Sequence, residues 1–268
     1  GYTNQVIATW KTTGGNPNGV SVNASRVFVA NRNASDLSIL DSGSGGVIGK
    51  AIVGYLPDGM AVTDKIWVAN FGSDTVSALR SSSQGWVRKD IAVGHQPSMI
   101  AANPATGRVY VANHGSRSVT IIDGALERVI NTVLVEQAPY GIAYNPVTKR
   151  IYTADRDGMC VSVIDENTWQ THIIRPQLRS SMFVIAVNPE TNHLFAVAAD
   201  RNLVFVIDGA TEQILTTLPI GREAEEGTVD GVRDFIHAVA ELEPTIFNGD
   251  AGFLNGADPA IHVRDTRH

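Results

Sequence analysis

Cysteine is nearly absent from this chain. Cys160 stands alone among 268 residues, so no internal disulfide can form and the count assigns no redox compartment. The residue falls just before Val161-Ser162-Val163-Ile164, where a thiol packed in a strand is expected rather than a nucleophile. Charge is also scarce. Charged residues make up 18% of the chain, below the globular average. The 21 Lys and Arg are outnumbered by 27 Asp and Glu, for a net charge of −6, and no basic stripe stands out. That argues against a nucleic-acid partner, because phosphate neutralisation needs clustered cations. No apolar run approaches the roughly 20 residues that a membrane-spanning helix requires. The chain opens at Gly1 without a signal-peptide pattern, which a mature or trimmed chain would lack in any case. Asn23-Ala24-Ser25 and Asn33-Ala34-Ser35 match the glycosylation triplet, but both fall where turns need Asn and Ser on backbone grounds alone.

What is present is a repeat. Five copies of one pattern recur about every 40 residues, the cleanest at Arg108-Val109-Tyr110-Val111-Ala112-Asn113 and Arg150-Ile151-Tyr152-Thr153-Ala154-Asp155. The residues that open the first strand of each copy are Pro17, Pro57, Pro97, Pro139 and Met182, separated by 40, 40, 42 and 43 residues. Within a copy, a short strand leads into a tight turn such as Asn145-Pro146-Val147-Thr148. Two β-rich strands and an outer strand follow, joined by Asp-, Asn- and Gly-containing turns. Four short strands at this period predict an all-β fold, a β-propeller of four-stranded antiparallel blades. Residues 1–268 read as one domain, with regular blades over about 13–221.

Both ends bear on closure. Asn4-Gln5-Val6-Ile7-Ala8-Thr9-Trp10 is patterned like an outer strand, so the N-terminal strand 4–10 is expected to complete a last blade built from 228–268. That arrangement would remove exposed sheet edges and give six blades, the sixth degenerate. The tail lacks the repeat's turns. Val229, Val232, Ile236 and Val239 follow a helical spacing, which keeps a helical appendage ending at Pro244 as the alternative.

The segments Val27-Phe28-Val29-Ala30-Asn31, Ile66-Trp67-Val68-Ala69-Asn70 and Val109-Tyr110-Val111-Ala112-Asn113, with the Asn-Pro-x-Thr turns, resemble the YVTN repeats of β-propeller proteins, which are related in architecture to NHL and lactonase-like propellers. The resemblance covers roughly residues 1–221. It implies a propeller but does not choose among the binding modules, surface-layer components and few enzymes that use one.

The first strands, read from Gly19, Gly59, Met99, Gly141 and Val184, are small and apolar with no carboxylate or amide, so a metal site in the channel is not expected. Only the tail, through Asp230, Asp234 or His237, could supply one. Chemistry is therefore sought on the loops of one face. Tyr55, Asp58, Gln96, Arg156, Asp157, Arg179 and Arg201 are the candidate binding residues, and His95, His114 and Glu225 the catalytic candidates. Two imidazoles and a carboxylate would suit a general acid–base pair or a divalent metal, although solvated loop histidines are the plainer reading. Asn31, Asn70 and Asn113 recur at one blade position and read as structural, bonding local backbone.

Two functions follow. One is a non-enzymatic binding or scaffold propeller, extracellular or in the cell envelope or periplasm, that engages a protein, glycan or small-molecule ligand through this face without a cofactor. The alternative is a hydrolase or lyase resembling lactonases or streptogramin-cleaving lyases, with loop His and carboxylates and a divalent metal such as Mg²⁺.

Overall fold

A computed structural model describes residues 6–220, 252–253 and 260–264. The β-formers of each repeat make five four-stranded antiparallel sheets, each pairing its strands in chain order. Blade one comprises Pro17–Val22, Arg26–Asn31, Asp36–Asp41 and Val47–Ile52. Blades two to five open with the inner strands Pro57–Val62, Pro97–Asn103, Pro139–Asn145 and Met182–Asn188. Successive inner strands pack on one another from blade one to blade five. Their crowding explains two glycines. A Cβ at Gly19 would lie 2.2 Å from the Asp58 carbonyl oxygen, and one at Gly59 would lie 2.7 Å from that of Ser98.

The core lies between blades rather than within one. Phe28, Leu37, Met60 and Val68 fill the first interface, and Trp67, Val76, Ile100 and Val111 fill the second. Burying both faces of each sheet explains why second and third strands run almost continuously apolar. The recurrent Asn is structural, but through third-strand side chains rather than the local backbone expected from the sequence. Asn31, Asn70 and Asn113 are fully buried, and each Nδ2 donates to two third-strand side chains, including Ser38, Ser77 and Thr120 at 2.8–2.9 Å.

Blade number departs from expectation. The described residues hold five four-stranded blades, not six. The N-terminal strand is Val6–Lys11, and it pairs with Ala260–Arg264 as a two-stranded antiparallel sheet, while Gly252–Phe253 adds to the inner edge of blade one. The tail lacks the alternation and turn signals that specify four strands, and the sixth blade expected from 228–268 is corrected to a two-stranded pairing among the described residues. The helical alternative at 229–239 lies outside the described residues, as do Glu225, Asp230, Asp234 and His237. Among the described residues no helix is long and apolar enough to cross a membrane.

Candidate functional site

The inner strands begin at the residues expected to open them, two residues ahead of their apolar stretches, and the intervening position changes the chemistry at the axis. Pro17–Val22 and Pro57–Val62 include Asn18 and Asp58. The expectation of inner strands without a carboxylate or amide is therefore corrected. Asn18, Asp58, Ser98, Tyr140 and Phe183 each follow the residue that opens an inner strand. Arg32, Phe71, His114, Arg156 and Ala199 each follow the last residue of a second strand. The backbone brings the two series together. The N–H groups of Arg32, Phe71, His114 and Arg156 donate to the carbonyls of Asn16, Leu56, Gln96 and Ala138, at 2.9–3.0 Å. Those four acceptors all have left-handed φ, between 50° and 57°. The proline that follows each of them disfavours the right-handed helical conformation there, and the turn adopts the left-handed one.

Asp58 is the floor of this mouth. It is fully buried. Arg32 Nη1 lies 3.0 Å from its Oδ2, the Tyr140 hydroxyl donates to the same oxygen at 3.3 Å, and Asn18 Nδ2 donates to Oδ1. Burial pushes the carboxyl up to about 6, with Arg32 the main opposing influence. Above the floor, the Arg32 guanidinium lies 4.9 Å from the Phe71 ring centroid. Tyr140 stacks on Phe183 at 4.5 Å, and the His114 ring meets Tyr140 edge-on at 5.8 Å and Phe71 at 6.3 Å. Burial holds the His114 imidazole below its ordinary value, and its Nδ1 has no hydrogen-bond partner among the described residues. Arg32, Phe71, His114, Tyr140, Arg156 and Phe183 are all half-buried, so they form the accessible lining over the buried Asp58 and Asn18.

The candidates from the sequence divide around this point. Asp58, His114 and Arg156 belong to the mouth, and Asp157 lies exposed beside Arg156, where its charge reaches His114. His95 does not join His114. Its Nδ1 meets Asp74 Oδ2 at 2.8 Å, and its side chain is 74% exposed. Gln96 is exposed, its N–H donating to Asp74 Oδ1 at 2.8 Å, and it serves the turn that carries His114. Tyr55 is exposed and lies over Gly72, where a Cβ would meet its ring at 2.5 Å. Arg179 and Arg201 are exposed loop residues. Glu225 lies outside the described residues. Arg32, Phe71, Tyr140 and Phe183 went unread in the sequence, although one signal could have found them. Each occupies a fixed offset within the repeat at which residue type changes from blade to blade. No group of three or more His, Cys, Asp or Glu side chains is placed to hold a metal ion among the described residues.

Comparison with known proteins bears on the fold. No protein-family model matches the chain, and no curated protein matches it in sequence. Similar solved structures include Kuenenia stuttgartiensis hydrazine synthase, 16% identical with a TM-score of 0.58, covering 82% of this chain and 90% of that one. The chain is also similar to Staphylococcus aureus virginiamycin B lyase, solved as a catalytically inactive variant with quinupristin. That match is 12% identical with a TM-score of 0.65, covering 77% of this chain and 71% of that one. The fold is a β-propeller. Identities this low extend the likeness no further than fold.

Proposed function

We propose that this protein is a binding propeller that takes a small ligand at the axial mouth. One observation carries the reading. Structural positions of the repeat keep one residue type through the first three blades, as Asn31, Asn70 and Asn113 do, whereas the mouth positions change in every blade: Asn18, Asp58, Ser98, Tyr140, Phe183 in one series and Arg32, Phe71, His114, Arg156, Ala199 in the other. Repeats that need only to stack have no reason to diversify at the point where they converge. An asymmetric ligand gives them one. An extracellular or envelope location and membership of the YVTN-repeat family accompany this reading, on the resemblance of the repeat motif.

The test is a ligand-observed NMR screen of a small-molecule library against the wild-type chain and the Phe183→Ala variant. A set of binders lost or weakened at least about fivefold in the variant is expected. A library with no binders, or binders indifferent to Phe183→Ala, refutes the mouth as the site.

An enzymatic reading stands second, on the pairing of His95 with Asp74, which orients an imidazole as a general base requires. Its exposure leaves it without the water exclusion that catalysis uses. Lactone or depsipeptide turnover that disappears in a His95→Ala, His114→Ala double variant would promote it; turnover that survives the double variant would remove it.

A further inference from the structure

The charged side chains that line the mouth and remain open to a ligand are the guanidiniums of Arg32 and Arg156, and this selects the charge of the ligand. Asp58 is the one carboxylate of the floor, and its oxygens are taken by Asn18, Arg32 and Tyr140. It therefore holds the Arg32 guanidinium and the Tyr140 ring in place and does not face a ligand. Arg32 spends one of its five N–H donors on Asp58, and its side chain remains 23% exposed. Arg156 is half-buried and has no carboxylate partner among the described residues. Its charge acts on His114 and on Tyr140, and Tyr140 also feels that of Arg32. Asp157 is the competing charge at the rim. It is exposed, outside the half-buried lining. At His114 its charge outweighs that of Arg156, but at the rim water screens it from a ligand held deeper in the mouth. Phe71, Tyr140 and Phe183 supply a flat apolar wall beside these donors.

We infer, resting on the mouth as the binding site, that its ligand is a small organic anion: a carboxylate held by Arg32 and Arg156, with a planar unsaturated or aromatic body laid against Phe71, Tyr140 and Phe183. A planar guanidinium fork matches a carboxylate, and charge-assisted bonds of this kind are the strong ones. A ligand cation would face two guanidiniums with no free carboxylate in the floor to receive it.

Three probes of one shape separate charge from shape: phenylacetate, phenylacetamide and phenethylammonium, titrated by NMR into the full chain at pH 7.5 and low salt. Phenylacetate is expected to bind at least about tenfold more tightly than either of the others. Arg156→Gln should weaken phenylacetate about tenfold and leave phenylacetamide unchanged, while Arg156→Lys should recover part of the loss. Equal or tighter binding of the amide or the ammonium overturns the choice of an anion. The mouth itself still stands in that case if Phe183→Ala weakens all three probes. Binding of none of the three overturns the anion inference, and the library screen then decides the site on its own.

Discussion

Asp155 occupies the blade-four position that blades one to three give to Asn31, Asn70 and Asn113, and Asp155→Asn should stabilise the protein at neutral pH. The side chain is fully buried. Burial pushes its carboxyl from 3.8 up to about 6 against donors from Ser162, Thr153 and Cys160. Keeping it ionised at pH 7 therefore costs about 3 kcal/mol, at 1.36 kcal/mol per tenfold change in proton affinity. The amide removes that cost and keeps most of the bonding. Thr153 Oγ1, now 2.7 Å from Asp155 Oδ1, can still donate to the amide oxygen, and Ser162 can accept from Nδ2, as Ser38, Ser77 and Thr120 do in blades one to three. After discounting the changed bonds, about 2 kcal/mol should remain, a Tm higher by about 4–8 °C for a chain of this size. The sign with pH follows from the raised value. The native state binds the proton more tightly than the unfolded chain, so the stability contributed by Asp155 is complete below about pH 4 and is lost as pH rises through about 6. The gain from Asp155→Asn should thus be greatest near pH 7 and vanish by pH 4. Calorimetry of both proteins from pH 4 to 7.5 measures it. A variant no more stable at pH 7, or one whose advantage persists undiminished at pH 4, refutes the reasoning.

Three further outcomes follow from the same geometry. Tyr140→Phe keeps the stack on Phe183 but removes a donor to Asp58, so stability should fall by about 1 kcal/mol and the Asp58 carboxyl should titrate higher, as followed by NMR. Glu166 is buried and accepts from Tyr110 at 2.6 Å, Tyr144 at 2.8 Å, Asn103 at 2.9 Å and Arg108 at 3.2 Å, tying blades three and four together. Glu166→Ala should cost about 3–5 kcal/mol in denaturant unfolding, and Glu166→Gln markedly less; equal losses would show that charge and acceptors do not matter there. Burial and the nearby Asp155 push the Cys160 thiol up to about 12. The folded protein should therefore resist a thiol reagent at pH 8 and react only on unfolding. Prompt labelling of the native state would contradict the packing of that strand.

The period of about 40 residues, the strand-opening prolines and the Asn-Pro-x-Thr turns made the blades legible from residue types alone, because strand alternation and turn chemistry are local properties. Asn103 shows how directly they are written. Its Oδ1 accepts from the Ala105 N–H at 2.9 Å within its own turn, as the turn signal implies. The pairing of the N-terminal strand with the tail was legible, because Val6–Lys11 is patterned like an outer strand, but the number of four-stranded blades was not, since the last 40 residues abandon the pattern. The mouth lay between these cases. Asp58, His114 and Arg156 were visible as loop polar residues, yet Asn18, Tyr140 and Phe183 sat one residue ahead of the apolar stretches that begin at Gly19, Gly141 and Val184 and were passed over.

What the sequence determined by itself is thus the blade, repeated five times. Only the tertiary structure decided that residues 40 or more apart, Asn18, Asp58 and Tyr140, converge on a single carboxylate, and that His95 turns to Asp74 instead of His114. The physical reason is that each blade carries its own strand and turn instructions, whereas convergence at the axis is a product of blades packing face to face, and no single repeat contains that information.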